Sequence, residues 1–262
     1  MSLTEYRPIH TEKRRRTILS NLNRLGLAIL LSPIVVAAQI VEHSVSSSDE
    51  LEALFADPVD SVHVFLSPGT YELQPRTIVD STCGNCEDPA TRVVCTVGLH
   101  IRGAFVHLQG PAEGSAVIRT HAGYGLFLER CASAILENLV VTGGERDTSG
   151  LATDAAIVVK NSNAVIRKNR IVDNIGDSTV VSSHVVGIMG ICGRDNSHLV
   201  ITENEIIRNS WDGIALFRGA EAEIGGNIID GVDKARGNVI GGGRGVAIEL
   251  HGMRRRRFGE TS

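Results

Sequence analysis

From about residue 125 onward, one short pattern of apolar and polar positions recurs. A small residue opens an apolar run and a polar kink follows. An apolar-alternating stretch, an Asn and a second apolar pair complete it. Gly125-Leu126-Phe127-Leu128 leads to Ile135-Leu136-Glu137-Asn138-Leu139. Ala156-Ile157-Val158-Val159 leads to Ile166-Arg167-Lys168-Asn169-Arg170-Ile171, and Gly187-Ile188-Met189-Gly190 leads to Ile201-Thr202-Glu203-Asn204-Glu205-Ile206. Gly213-Ile214-Ala215-Leu216 leads to Ile224-Gly225-Gly226-Asn227-Ile228-Ile229, and Gly245-Val246-Ala247-Ile248 opens one more copy. Alternation with period two, in runs of about three to five residues, predicts short strands with one face buried. No helical stripe of comparable length runs through this region.

Such strands, each at the same place in a repeat, stack as successive coils of a solenoid with inward columns of Ile, Val and Leu. Asn169 and Asn204 are 35 residues apart, but Asn204 and Asn227 only 23, so a coil of fixed geometry carries inserts of variable length. The three Asn fall in register, where their amides bond to coils above and below. Asn138 is one residue out of phase and is expected outside that ladder. Upstream, Ser48 to Phe55 reads as a short capped helix and Val62 to Leu66 as a strand, followed by Ser67-Pro68-Gly69-Thr70-Tyr71.

These repeats, with the helix, strand and Pro-Gly-Thr-Tyr turn before them, resemble the right-handed parallel β-helix proteins of the pectate lyase-like superfamily. The resemblance spans roughly 48–252. It implies an all-β fold, a right-handed parallel β-helix with a short N-terminal capping helix that covers the open strand edges. It is specific for fold and weak for activity, because the superfamily includes lyases, hydrolases, epimerases and proteins without catalysis.

Composition and charge narrow the setting. A chain that is 42% hydrophobic is not disordered. The body, 39–252, carries 16 basic and 27 acidic residues, which argues against nucleic acid as a partner. Lys13, Arg14, Arg15 and Arg16 precede an apolar run of 14 residues, Leu25 to Ala38, too short for a membrane span and suited to a signal peptide. Val36-Ala37-Ala38 fits a cleavage site. Residues 1–38 are therefore expected to be removed on export, by the general or the twin-arginine route. The product is then secreted, periplasmic or on the cell surface, without a stable membrane span. The cap and Cys-x-x-Cys loop are placed at 39–92, the β-helix at 93–252, and a basic tail, read as a truncated end, at 253–262.

Export favours a disulfide for Cys83 and Cys86, the bridge lying within the loop or reaching Cys95. Zinc would need a second Cys pair, which the sequence lacks. Cys131 and Cys192 are expected inside the coils.

Inserts at 143–153, 175–185 and 231–243 all follow the Asn-bearing strand, so they leave the solenoid on one side and can wall a groove. Asp147, Asp177, Asp233 and Lys234 stand within or at the ends of these inserts. His121, Asp154, His184, Asp212 and Arg244 precede the strand openings and could line up on neighbouring coils, about 4.8 Å per step. A His beside a carboxylate suits acid–base work on a sugar, and two carboxylates suit a glycosidase. Oxygen ligands of this kind suit calcium. The catalytic candidates are His121, Asp154, His184 and Asp212. Arg194, Trp211, Arg218 and Arg244 are the candidates for holding substrate, with Lys160 a further base. The related lyases combine calcium with a basic residue at a sugar's C5 proton, and the resemblance implies the same class of chemistry here. Asp212-Gly213 and Asp154-Ala155 equally fit plain coil corners, and Gly241 to Gly245 reads as a flexible insert. The expected partner is an extracellular polysaccharide. The other reading is a scaffold that uses the solenoid as a rigid spacer.

Overall fold

The computed structural model describes residues 39–177 and 187–230, and the backbone of a strand at 248–250. The chain enters through β1 (Val41–Val45), α1 (Ser48–Leu54), β2 (Val59–Leu66), β3 (Gly69–Glu72) and β4 (Arg76–Asp80). Complete coils then follow. These are β5 (Val93–Ile101), β6 (Gly103–Gln109) and β7 (Ala116–Arg119), then β8 (Tyr124–Glu129), β9 (Ser133–Glu137) and β10 (Leu139–Thr142). The next pair is β11 (Ala155–Lys160), β12 (Asn163–Arg167) and β13 (Arg170–Val172), then β14 (Met189–Arg194), β15 (His198–Thr202) and β16 (Glu205–Ile207). After them come β17 (Ile214–Leu216), β18 (Glu221–Gly225), β19 (Ile228–Asp230) and β20 (Ile248–Leu250).

Three sheets result. Sheet A is β1-β2-β6-β9-β12-β15-β18, sheet B is β3-β7-β10-β13-β16-β19, and sheet C is β4-β5-β8-β11-β14-β17-β20. Every described pairing is parallel except β4 with β5. The solenoid core is three columns of branched side chains, one per sheet. Leu99, Leu126, Ile157, Ile191 and Ile214 stack in sheet C. Leu108, Leu136, Ile166 and Ile201 stack in sheet A, and Ile118, Val141, Ile171 and Ile206 in sheet B. All are buried, each contributing about 1.5–3 kcal/mol of apolar transfer.

The chain turns from sheet A to sheet B through one left-handed residue per coil: Asn138 (φ 57), Lys168 (φ 56), Glu203 (φ 56) and Gly226 (φ 65). For a non-glycine residue that conformation costs roughly 1–2 kcal/mol, and after Lys168 and Glu203 the Asn that follows offsets it. Asn204 Oδ1 accepts from the Asn169 amide N–H at 2.9 Å, and Asn204 Nδ2 donates to Ile166 O at 2.8 Å and to Asn227 Oδ1 at 2.9 Å. The ladder holds Asn169, Asn204 and Asn227 as the repeats imply. Asn138 occupies the left-handed position one residue earlier, outside it.

The N-terminal end is capped. Ser47 Oγ accepts from Glu50 N at 3.3 Å, starting α1, and Leu51 and Phe55 bury against the first coil. Among the described residues no helix is long and apolar enough to cross a membrane.

Candidate functional site

The inserts leave between sheets B and C, at a corner built from a second left-handed column, Gly143 (φ 73), Asp173 (φ 57) and Arg208 (φ 54), with His121 (φ 49) one residue past the same place on the preceding coil. A second Asn ladder follows it. Asn174 Nδ2 donates to Asn209 Oδ1 at 2.8 Å and to Val141 O at 3.2 Å, while its Oδ1 accepts from Gly144 N at 3.0 Å. This corner is therefore held in register by the coils, whatever the inserts do.

His121 stands beside the start of that column with its side chain 39% exposed. Its Nε2 lies 2.8 Å from Glu72 Oε2 and its Nδ1 lies 3.4 Å from Glu145 Oε1. Arg119 Nη1 approaches the other Glu72 oxygen at 3.6 Å. The hydrogen bond to Glu72, with help from Glu145, raises the imidazole pKa above its ordinary value. An imidazole held between two carboxylates and open to solvent can take up and release a proton.

Behind it the insert is anchored in the protein. Asp154 is buried, pairs with Arg146, and accepts from Asp147 N at 2.7 Å. Asp147 accepts from Thr96 N at 3.0 Å and Thr96 Oγ1 at 2.7 Å. Burial pushes the Asp154 pKa up to about 7, opposed by the Arg146 charge. Both carboxyls crowd Gly123, where a Cβ would meet Asp147 Oδ2 at 2.3 Å and Asp154 Oδ1 at 2.6 Å. Only glycine leaves room for them.

The outer face of sheet C is not an open groove. Residues from β4, β5 and the loop between them cover it, forming a second core with Cys83, Val93, Cys95, Tyr124, Phe127, Val158 and Cys192 buried together. Cys83 and Cys86 are disulfide-bonded, and Cys95, Cys131 and Cys192 are free and buried. Gly84 is pressed between Thr153 and Arg194, at 2.9 and 3.0 Å from a Cβ position.

This cover changes the place of the sequence candidates. Arg194, expected to hold substrate, is fully buried: it pairs with Asp80, donates to Thr82 O at 3.1 Å, and lies 5.6 Å from the Tyr124 ring. Lys160, a candidate base, is buried against Asp80 and Glu129. Arg218 donates from Nε to Gly84 O at 3.1 Å, so it fastens the loop. Trp211 is half-buried against the second core. Asp212 is buried, and its carbonyl accepts from Gly190 N at 2.9 Å as a coil corner does. Asp154 and Asp212 lie two coils apart, with the β14 coil between them. His184 and Arg244 lie outside the described residues, as do Asp233, Lys234, the signal segment and the basic tail.

Of the four catalytic candidates, His121 alone is placed in an open acid–base setting among the described residues. Its partners Glu72 and Glu145 were not singled out in the sequence. Glu145 falls inside the first insert, and that was a usable signal. Glu72 closes β3, one coil earlier, where no repeat copy had been recognised. Among the described residues no group of three His, Cys, Asp or Glu side chains is arranged to hold a metal ion, and His184 and Asp233 lie outside those residues.

Comparison with known proteins agrees with this architecture. The family described as the right-handed beta helix region matches residues 112–251. The chain belongs to that family. Neither the curated proteins nor the solved structures gave a significant match.

Proposed function

We propose that the protein is exported and that it binds or processes an extracellular polysaccharide along the corner where the inserts leave, with His121 as the proton-transfer group. The observation that carries this reading is the solvent-open His121 between Glu72 and Glu145, 2.8 and 3.4 Å away. A protonated imidazole can protonate a leaving glycosidic oxygen, and a neutral one can accept a sugar C–H or water proton. The likeness of the repeats to pectate lyase-like proteins supports a sugar polymer as the substrate class. The signal-like residues 1–38 support export, and the acidic body supports a partner other than nucleic acid.

The test is a polysaccharide panel, with and without calcium, scored for binding, new reducing ends and unsaturated products. Turnover lost in His121→Gln, with binding kept, is the expected result. No binding and no turnover on the whole panel would overturn the reading.

A specific observation favours the scaffold alternative. Asp154, Asp212, Arg194 and Lys160 are all buried, with Arg194 and Lys160 holding Asp80 of the cover and Asp154 holding the first insert. No binding and no turnover on the whole panel would select that alternative.

A further inference from the structure

We propose a second site, at the margin of the sheet C cover, that binds a tetrahedral oxyanion: a sulfate or phosphate group, free or carried as an ester. A cavity of about 450 Å³ opens there between β4 and the end of β8. Arg76 from β4, Arg102 just after β5, and Arg130 just after β8 line it together with His100, Phe127 and Glu129. Three separate elements thus bring guanidinium groups to one space.

The local charges are unevenly matched. Asp80, also on the wall, is already held by Lys160 and Arg194. Glu129 is held by His100 at 3.1 Å and Lys160 at 3.4 Å. The two carboxylates are therefore satisfied from behind. Arg76 and Arg130 are exposed and take part in no ion pair among the described residues. Arg102 reaches only Ala56 O, at 3.4 Å, and its Nε is buried without a partner. Guanidinium forks match the oxygens of sulfate and phosphate in pairs, and an Nε–H without a partner keeps donor capacity for such a ligand. The His100 and Phe127 rings, stacked at 4.8 Å and 17°, give the cavity a flat wall against which the rest of an ester can lie.

This site lies at the opposite end of β8 from His121, roughly 20 Å away for six residues of strand. It does not depend on the polysaccharide reading, and the experiment separates the two. Binding is measured by calorimetry on the whole chain with inorganic sulfate, inorganic phosphate, a sulfated disaccharide, a uronic acid disaccharide and a neutral disaccharide. The sulfated sugar and at least one free ion should bind, the neutral sugar should not, and affinity should fall as salt rises. Arg76→Ala with Arg130→Ala should weaken binding by about tenfold or more. Both side chains are exposed, so the fold is expected to survive. Arg102→Lys, which keeps the charge and loses the fork, should weaken it as well, and His121→Gln should leave it unchanged. Binding only of the sulfated sugar would assign the ester as the ligand, whereas binding only of the free ions would assign the ions. Equal affinity for the sulfated and uronic sugars, or binding unchanged in the double variant, would overturn the proposal even if polysaccharide turnover is found. Oxyanion binding with neither binding nor turnover of any polysaccharide on the panel would leave this site standing and remove the other.

Discussion

Arg194 and Asp80, 114 residues apart in the chain, form an ion pair in which both side chains are fully buried. Lys160 shares the same carboxylate from the neighbouring coil. One acid thus ties the end of β4 to two coils of the finished solenoid. Removing it leaves two buried cations without their main counter-charge, a change that typically costs about 3–5 kcal/mol. Asp80→Ala is expected to lower the urea midpoint accordingly. Asp80→Leu with Lys160→Met and Arg194→Met should fall much closer to the parent, because an apolar set of similar volume avoids the desolvation of all three. A triple variant as unstable as Asp80→Ala would mean that the charges contribute more than their removal penalty.

That pair also marks where sequence reading stops. Ile157, Ile191 and Ile214 announce themselves because each repeats at one position of a coil, and Asn169, Asn204 and Asn227 do so for the same reason. Arg194 sits among them at an outward position, and an outward charged residue on a strand reads as solvent-facing. What covers it comes from residues before the first complete coil, so no local pattern reports its burial. The second ladder was open to discovery. Asn174 and Asn209 are separated by 35 residues, as Asn169 and Asn204 are. Asn174 stands immediately before the insert at 175–185, whose variable length hides the register. His121 was legible as a corner residue, but Glu72 was not, because its neighbour in space lies one coil away.

Asn204 stands in the middle of the first ladder, and its side chain makes four hydrogen bonds: with the Asn169 amide N–H and side chain, Ile166 O and Asn227 Oδ1. Asn204→Ala leaves the Asn169 N–H and Ile166 O without those partners in a buried place, at about 1–3 kcal/mol for each group left unmet. Asn227→Ala, where the residue is only part-buried, should cost less. Equal losses in urea unfolding would show that the ladder's contribution does not depend on burial.

Asp154 makes stability fall as pH rises. Its folded pKa is raised by burial to about 7, above the unfolded carboxyl value of about 3.9, so the folded state holds the proton more tightly. The contribution is fully present below about pH 4 and is lost as pH climbs through about 7. Asp154→Asn removes the titrating group, so the slope of unfolding free energy between about pH 4 and 7 should flatten relative to the parent, and Arg146 loses a charged partner only above about pH 7. Parallel slopes in the two proteins would assign the pH dependence to other groups.

His121 provides the sharpest check on the open corner. Its raised pKa comes first from Glu72 and then from Glu145, the shorter contact being to Glu72. Glu72→Gln keeps a hydrogen-bonding side chain and removes the charge, so the His121 pKa, followed by NMR of the ring protons, should drop toward about 6.5. Glu145→Gln should move it in the same direction by less. A group whose folded pKa is raised adds stability below its unfolded value and loses it as pH rises through the folded one. With a ring this exposed, that effect is small, and the informative readout is chemical. Where His121 moves the proton in turnover, the pH–rate limb assigned to it shifts down with the NMR value in Glu72→Gln. A limb that stays fixed while the ring pKa moves would place the proton transfer on another residue.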